Sequence, residues 1–146
     1  MEEAVSFLTR IKDRFECKEV DIRTYSPLTL AFIGDGVYDL VIRTVIVERG
    51  NRAPSGLHKA KSLIVKAQAQ AELAEAIADE LTDDEAAVYR RGRNAKSYTT
   101  AKNASVADYR KATGLEALIG YLYLQNKEER ILELIQSGVM KLGIEL

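Results

Sequence analysis

The amino-acid sequence predicts a single all-α domain of about six or seven helices. Apolar residues recur at three- and four-residue spacing along most of the 146 residues, and good helix formers fill the positions between them. Helix start signals, mostly a Ser or Thr followed three residues later by an acid, divide the chain into helical lengths. Hydrophobic residues make up 47% of the chain, and no repeat or linker interrupts it. We therefore expect residues 1–146 to form one domain.

Two helices are expected in the first third of the chain. The first covers residues 2–15, and a polar connector follows over 16–25. Ser26 and Pro27 read as an N-cap and a first helical residue, and they open a second helix over 27–48. This second helix is apolar nearly all round, so we expect it to be buried on most sides. The inward residues of the first helix are Val5, Leu8, Ile11 and Phe15.

The middle of the chain predicts a long helix, a capped helix and a loop. Residues 58–80 are rich in Ala, Leu, Lys, Gln and Glu and are expected to be one helix. Thr82 and Glu85 form a capping box that opens a helix to about Arg91. Residues 92–103 are the least regular stretch and predict an exposed loop. The inner face of the long helix is Leu57, Ala60, Ile64, Ala67, Ala71 and Ala74.

Two further capping-box patterns divide the last third of the chain. The pattern at 105–108 predicts a short helix to residue 111, and the pattern at 113–116 predicts another helix over 115–124. A final amphipathic helix is expected over 127–142. Its inward residues are Ile131, Leu134, Ile135 and Val139.

An acid in the second helix stands out from its apolar surroundings. From Leu30 to Leu40 the sequence reads LAFIGDGVYDL, in which Asp35 lies between Gly34 and Gly36. Burying a carboxylate in such a run is costly unless it is paired or bound to a cation. Glycines on both sides would let backbone, metal or phosphate come close to it.

The same segment admits two local structures. An Asp-Gly pair between branched apolar residues is typical of a hairpin turn. The start signal at Ser26 and Pro27 favours a helix instead. In a helix Asp35, Asp39 and Arg43 share one face. That face could be no more than an Asp39–Arg43 ion pair, which contributes about 0.2–0.5 kcal/mol.

Composition excludes several classes of site and location. The chain has one histidine, His58, and one cysteine, Cys17, so a classical zinc site or a Ser-His-Asp arrangement has almost no ligands. A lone cysteine indicates a reducing compartment. The acidic N-terminus is not a signal peptide, and no charge-free apolar run reaches membrane-spanning length. We expect a soluble cytoplasmic protein with no membrane partner.

The net charge of −1 conceals blocks of opposite sign. Residues 49–66 carry bases and no acid, whereas residues 72–85 carry seven acids and no base. Residues 90–111 carry seven bases and one acid. Such blocks are usually solvated faces, but two separate basic blocks also indicate a polyanionic partner.

A second isolated acid lies in the segment TGLEALIGYLYL. Glu116 is the only charged residue between Lys111 and Lys127. As the partner of Thr113 in a capping box it would be purely structural. Alternatively Glu116 meets Asp35, and the two carboxylates would repel each other unless a divalent cation lay between them. Oxygen ligands favour Mg²⁺ or Mn²⁺, and the spacing alone does not decide between these readings.

Both acidic segments resemble motifs of a known family. LAFIGDGVYDL is similar to the signature helix of the ribonuclease III family, whose usual form is close to LEFLGDAVL. TGLEALIGYLYL resembles the second acidic motif of that family, usually close to DALEALIGAIYL. The short chain, the lead-in YRKATG and the segment RRGRNAK resemble its bacterial Mini-ribonuclease III branch.

This resemblance implies an all-α endonuclease domain that works as a homodimer and cuts double-stranded RNA with Mg²⁺, or with Mn²⁺. It implies a role in the maturation of large-subunit (23S) ribosomal RNA. A metal-activated water would attack the phosphodiester and leave 5′-phosphate and 3′-hydroxyl ends. Mini-type enzymes lack a separate double-stranded-RNA-binding domain, and we expect none here.

The resemblance assigns roles by position. Asp35 and Glu116 match the catalytic, metal-binding acids. Ala31 and Thr113 stand where the longer enzymes carry further acids, so we expect fewer direct metal ligands, with water or RNA phosphate completing the shell. The missing acids also motivate a rival hypothesis, a non-catalytic module that binds structured RNA.

RNA binding is expected from the second basic block. Duplex RNA is recognised mainly through its shape, phosphates and 2′-hydroxyls. Lys59, Lys61 and Lys66 either extend this surface or form a solvated helix face. The expected RNA-binding residues are Arg90, Arg91, Arg93, Asn94, Lys96 and Lys102.

Overall fold

The computed structural model describes residues 5–95 and 105–146, and its regular elements there are all helical. The all-α fold class is therefore confirmed. Among the described residues, none of the helices combines the length and the apolar composition needed to cross a bilayer. The helices are α1 (Phe7–Arg14), α2 (Pro27–Glu48), α3 (Pro54–Val65), α4 (Ala67–Ile77), α5 (Asp83–Asn94), α6 (Val106–Tyr123) and α7 (Glu128–Lys141).

Helix α6 forms the centre of the fold and packs against α2, α4 and α5. Half of its residues are buried, including Leu115, Leu118 and Leu122. Helix α7 covers α4 at Gly138, where an added Cβ would lie 2.6 Å from Leu73 Cγ. The core is thus built around one helix that is apolar on nearly every side, which is the expected composition for a central helix.

Two glycines let α2 and α6 approach until their backbones touch. A Cβ added at Gly34 would lie 1.7 Å from the carbonyl oxygen of Glu116. A Cβ added at Gly120 would lie 2.0 Å from the carbonyl oxygen of Leu30. No other residue type fits at either position, because every other side chain begins with Cβ. This crossing sets the distance between the two acidic segments.

The predicted N-caps of three helices are confirmed. The Ser26 hydroxyl accepts a hydrogen bond from the Thr29 N–H at 3.1 Å, and Pro27 follows as the first residue of α2. Thr82 and Glu85 form the complete capping box of α5. The third, Ser105, opens α6. Each such cap contributes about 1 kcal/mol, because it satisfies an N–H that has no partner within the helix.

An ion pair fixes the start of α5 to α7. Arg130 donates from Nε and Nη2 to the two carboxylate oxygens of Glu85, at 3.0 and 2.9 Å. Its Nη2 also donates to the carbonyl oxygen of Glu80 at 2.8 Å. The hydrogen bonds from Arg130 lower the pKa of Glu85, which keeps this buried carboxylate charged.

The long helix predicted over 58–80 is wrong. The structure has α3 from Pro54 and a break at Lys66, whose backbone is extended, before α4 begins. The last three residues, Ala78–Glu80, form a 3₁₀ turn. Good helix formers on both sides of Lys66 conceal the break, because the change of direction is imposed by packing on α2 and α6.

The two helices predicted over 105–111 and 115–124 are one helix, α6. It begins after Ser105, as predicted, and it continues through Thr113. The Thr113 hydroxyl donates to the carbonyl oxygen of Tyr109 at 3.0 Å, a bond within the helix. Glu116 therefore does not belong to a capping box, and the capping role predicted for this acid is wrong.

Two expectations about burial also fail. Helix α1 begins at Phe7, and the predicted inward residues Val5 and Phe15 are 51% and 74% exposed. Helix α2 is not buried on most sides, since Phe32 is 83% and Leu40 is 59% exposed. An apolar face of α2 thus remains open to solvent in the single chain.

The helix crossing can be tested with two alanine substitutions in α2. Gly34→Ala should lower the free energy of unfolding by about 3 kcal/mol or more, because the new methyl group overlaps the α6 backbone. Gly36→Ala should raise it by up to about 1 kcal/mol, because a Cβ there meets no atom within 4 Å. Urea denaturation measures both. Equal effects would contradict the close crossing.

Candidate active site

Helix α2 presents Asp35 beside Glu116 of α6. Asp35 follows Gly34, the residue at which α2 touches the backbone of Glu116 itself. Asp35 is exposed, whereas Glu116 is mostly buried. The Asp35 carboxylate is near enough to Glu116 to raise the pKa of the Glu116 carboxyl. The Gly34 contact therefore brings the two acidic segments together, at a surface where Asp35 is exposed.

The electrostatics of the pair are unfavourable without a cation. Burial is the largest cause that raises the pKa of Glu116, and the hydrogen bond and negative charge of Asp35 add to it, giving a pKa of about 9. Glu116 therefore holds its proton at neutral pH in the free protein. A divalent cation between the carboxyls would reverse this preference, because it favours the charged form of both.

The donor set fits a hard cation that keeps several of its own water ligands. Ala31 and Thr113, at the positions of the further family acids, are buried and supply no carboxylate. Within residues 5–95 and 105–146, no group of three or more His, Cys, Asp or Glu side chains could hold a metal. Two carboxylates with an open flank at Gly36 suit Mg²⁺ or Mn²⁺, whose remaining ligands would be water or phosphate oxygens.

Tyr38 is a buried side chain of α2 near Glu116. It is fully buried, and its hydroxyl donates to the carbonyl oxygen of Ile64 at 2.9 Å. Burial and the nearby charge of Glu116 raise its pKa. Tyr38 therefore joins α3 to α2 directly beneath the acidic pair.

A network of charges lies one turn along α2 from Asp35. The predicted Asp39–Arg43 ion pair is present. Lys61 of α3 joins it, with Nζ 3.3 Å from Oδ1 of Asp39. Sequence reasoning could not find the contact with Lys61, because the two residues are 22 positions apart on separate helices.

The residues predicted to bind RNA begin in the last turns of α5 rather than in a loop, so the expected loop boundary at residue 92 is wrong. The helix continues to Asn94 because Gly92 is buried against α6. Arg90, Arg91 and Asn94 are exposed there. This end of α5 thus presents two guanidinium groups and an amide to solvent.

The remaining predicted RNA-binding residues differ in their surroundings. Arg93 is half-buried and lies over the ring of Tyr89, with its guanidinium carbon 5.8 Å from the ring centre. A cation in this position is attracted to the face of the ring, so the contact restrains the arginine. The other two, Lys96 and Lys102, fall outside the described residues.

The pKa of Glu116 predicts a pH-dependent stability. Between about pH 4.5 and 9 the unfolded chain ionises this acid while the folded protein keeps it protonated, so the free energy of unfolding falls as pH rises. Glu116→Gln removes this penalty. In EDTA, the variant should melt several degrees above the wild type at pH 8 and close to it at pH 4.5.

Differential scanning calorimetry across this pH range measures the effect. Glu72→Gln, a substitution at an exposed glutamate of α4, is the matched control and should follow the wild type. A gap between Glu116→Gln and the wild type that does not change with pH would contradict the assigned environment of Glu116.

Comparison with known proteins gives a family match over most of the chain. The family described as "Ribonuclease III domain" matches residues 28–127. Mini-ribonuclease 3 of Enterococcus faecalis is 45% identical over 125 residues, covering 84% of this chain and 95% of the relative. Mini-ribonuclease 3 of Brevibacillus brevis is 50% identical over 113 residues, covering 77% and 84%.

A solved structure shares the fold as well as the sequence. The crystal structure of a Fusobacterium nucleatum protein is 36% identical, with a TM-score of 0.74, and the match covers 81% of this chain and 96% of that one. The matched family segment contains both Asp35 and Glu116. The predicted resemblance and enzyme class are confirmed: this chain belongs to the ribonuclease III family of endoribonucleases.

Proposed function

We propose that the protein cleaves double-stranded RNA with Mg²⁺, or with Mn²⁺ in its place, at the site formed by Asp35 and Glu116. The observation that carries the proposal is the helix crossing at Gly34, which places the exposed Asp35 next to the backbone of Glu116. A buried acid held beside another acid is destabilising by itself. A cation bound by both acids would offset the repulsion between them, and this is a chemical reason for the two acids to lie together.

The two acids have different tasks in this proposal. Asp35 is exposed and can hold a cation that also touches an RNA phosphate. Glu116 is partly buried on α6 and would help to hold the same cation. A bound Mg²⁺ would lower the pKa of a water ligand and offset the charge that develops on the phosphate. The expected products carry 5′-phosphate and 3′-hydroxyl ends.

The basic end of α5 is the proposed contact with the RNA backbone. Its exposed residues are Arg90, Arg91 and Asn94. Guanidinium groups bind phosphate oxygens with two parallel hydrogen bonds, so this helix end suits a polyanion. We include Arg93 in the contact, and we extend it to Lys96 and Lys102 on the basis of the sequence alone.

We also propose that the protein is a homodimer formed through α2. Leu28, Phe32 and Leu40 are exposed and follow one another at multiples of four residues, so they form a stripe along one face. A second copy of the same stripe, related by a two-fold axis, would cover it and place two acidic pairs in one particle. Exposed apolar residues in a continuous stripe are typical of such interfaces.

The substrate that we propose is a precursor of 23S ribosomal RNA in the cytoplasm. This part of the proposal rests on the resemblance to Mini-ribonuclease III, and the site geometry supports only the wider class, duplex RNA. The competing function is a module that binds structured RNA without cutting it, motivated by the missing acids at Ala31 and Thr113.

Cleavage of a duplex RNA in Mg²⁺ separates the two functions. The wild type should cut it, and Asp35→Asn or Glu116→Gln should each reduce the rate by more than about a hundredfold while RNA binding persists. That loss exceeds the usual effect of removing an outer partner of a metal ligand. Glu72→Gln should cut normally. Binding without cleavage by the wild type in either metal would favour the non-catalytic module.

The dimer predicts a specific sensitivity at Phe32, which is 83% exposed in the single chain. Phe32→Glu should convert the protein to a monomer, because two carboxylates would be buried at the shared face. Sedimentation equilibrium measures the mass. Phe15→Glu, at a residue 74% exposed but outside the stripe, should leave the dimer intact. A wild-type monomer at micromolar concentration would refute the proposal.

A further inference from the structure

The charge network beside the acidic pair contains more positive than negative charge. Asp39 accepts from Arg43 Nε and lies 3.3 Å from Lys61 Nζ, so one carboxylate faces two cations. In the single chain the Arg43 side chain is 53% exposed. Among the described residues, its two terminal nitrogens have no hydrogen-bond partner. The network therefore presents unused donors and a net positive charge to solvent.

These cations border a pocket of about 180 Å³ between α2 and α3. Its polar lining is Arg43, His58 and Lys61, and its floor is apolar, with Leu57 and Ile46. The lining contains no acid. A concave surface with donors on its rim suits a compact anion, since an anion gains from several donors at once.

Docking of α3 on α2 does not explain the network. Tyr38 already joins the two helices through its hydrogen bond to Ile64. Ile42, Ile46 and Ile64 are buried in the core between them. An ion pair at a partly exposed position adds little to such a contact. Two cations around a single carboxylate are more than a structural pair requires.

The position of the network relates it to the acidic pair. Asp39 lies four residues after Asp35 on the same face of α2, a separation of about one helical turn, or roughly 5.4 Å. Successive phosphates of a nucleic-acid strand are separated by a similar distance. Arg43 and Lys61 both contact the Asp39 carboxylate, so a strand with one phosphate at Asp35 and Glu116 would bring a neighbouring phosphate within reach of these two cations.

We propose that Arg43 and Lys61, held in place by Asp39, bind the RNA phosphate next to the one that is cleaved. The inference rests on the proposed function, because it takes the acidic pair as the site of cleavage. Arg43 would use its free terminal nitrogens, and Lys61 would share its ammonium group between Asp39 and the phosphate. The ligand is a single phosphodiester of the bound strand.

A substrate with one neutral phosphate tests the contact. Duplex RNAs are prepared with a methylphosphonate in place of each phosphate flanking the cleavage point, and kcat/KM is measured for the wild type and Lys61→Gln. Neutralising the contacted phosphate should reduce kcat/KM of the wild type about tenfold. Lys61→Gln should already have the reduced kcat/KM on the unmodified duplex. Neutralising the same phosphate should lower its kcat/KM by less than about a further twofold.

Lys59→Gln is the matched control, since Lys59 is exposed on the same helix and does not line the pocket. It should respond to the methylphosphonates as the wild type does. Neutralising a phosphate could instead lower kcat/KM of Lys61→Gln by the same factor as that of the wild type at every flanking position. This result would overturn the inference, whereas cleavage by the wild type would still support the proposed function. Binding of the duplex by the wild type without cleavage would overturn both the proposed function and this inference. Absence of both binding and cleavage would overturn both proposals.

Discussion

The backbone contact between α2 and α6 is the constraint on which the rest of the structure depends. Gly34 lies against the carbonyl of Glu116, and Gly120 lies against the carbonyl of Leu30. Two glycines from distant parts of the chain are needed, because a Cβ on either helix would separate them. The same contact that closes the core brings Asp35 beside Glu116, so packing and site geometry cannot be changed independently.

Packing in the core keeps two acids, Asp35 and Glu116, close together at the site. Glu116 is partly buried on α6, and the Gly34 contact holds the backbone of Asp35 beside it. A protein selected only for stability would be expected to replace one acid, since keeping Glu116 protonated at neutral pH lowers the free energy of unfolding. Retaining both is understandable when a cation and a phosphate complete the site. The neighbouring Asp39 network shows the opposite excess, of cations over acids, on the same face of α2.

Local signals in the sequence predicted local structure well. Ser26 and Pro27 indicated the start of α2, because an N-cap and a first-turn proline act within a few residues. Thr113 misled the prediction, since its hydroxyl bonds within α6 rather than capping a new helix. The break at Lys66 and the contact of Lys61 with Asp39 depend on packing between helices, for which a single sequence carries no local signal.

The shared cation is the central claim, and a titration with Mn²⁺ followed by electron paramagnetic resonance tests it most directly. The claim predicts that Asp35→Asn, Glu116→Gln and the double variant all lose the tightest Mn²⁺ ion of the wild type to a similar extent, because both carboxyls hold one ion. Retention of wild-type Mn²⁺ affinity by Glu116→Gln would contradict it, as would losses that simply add in the double variant.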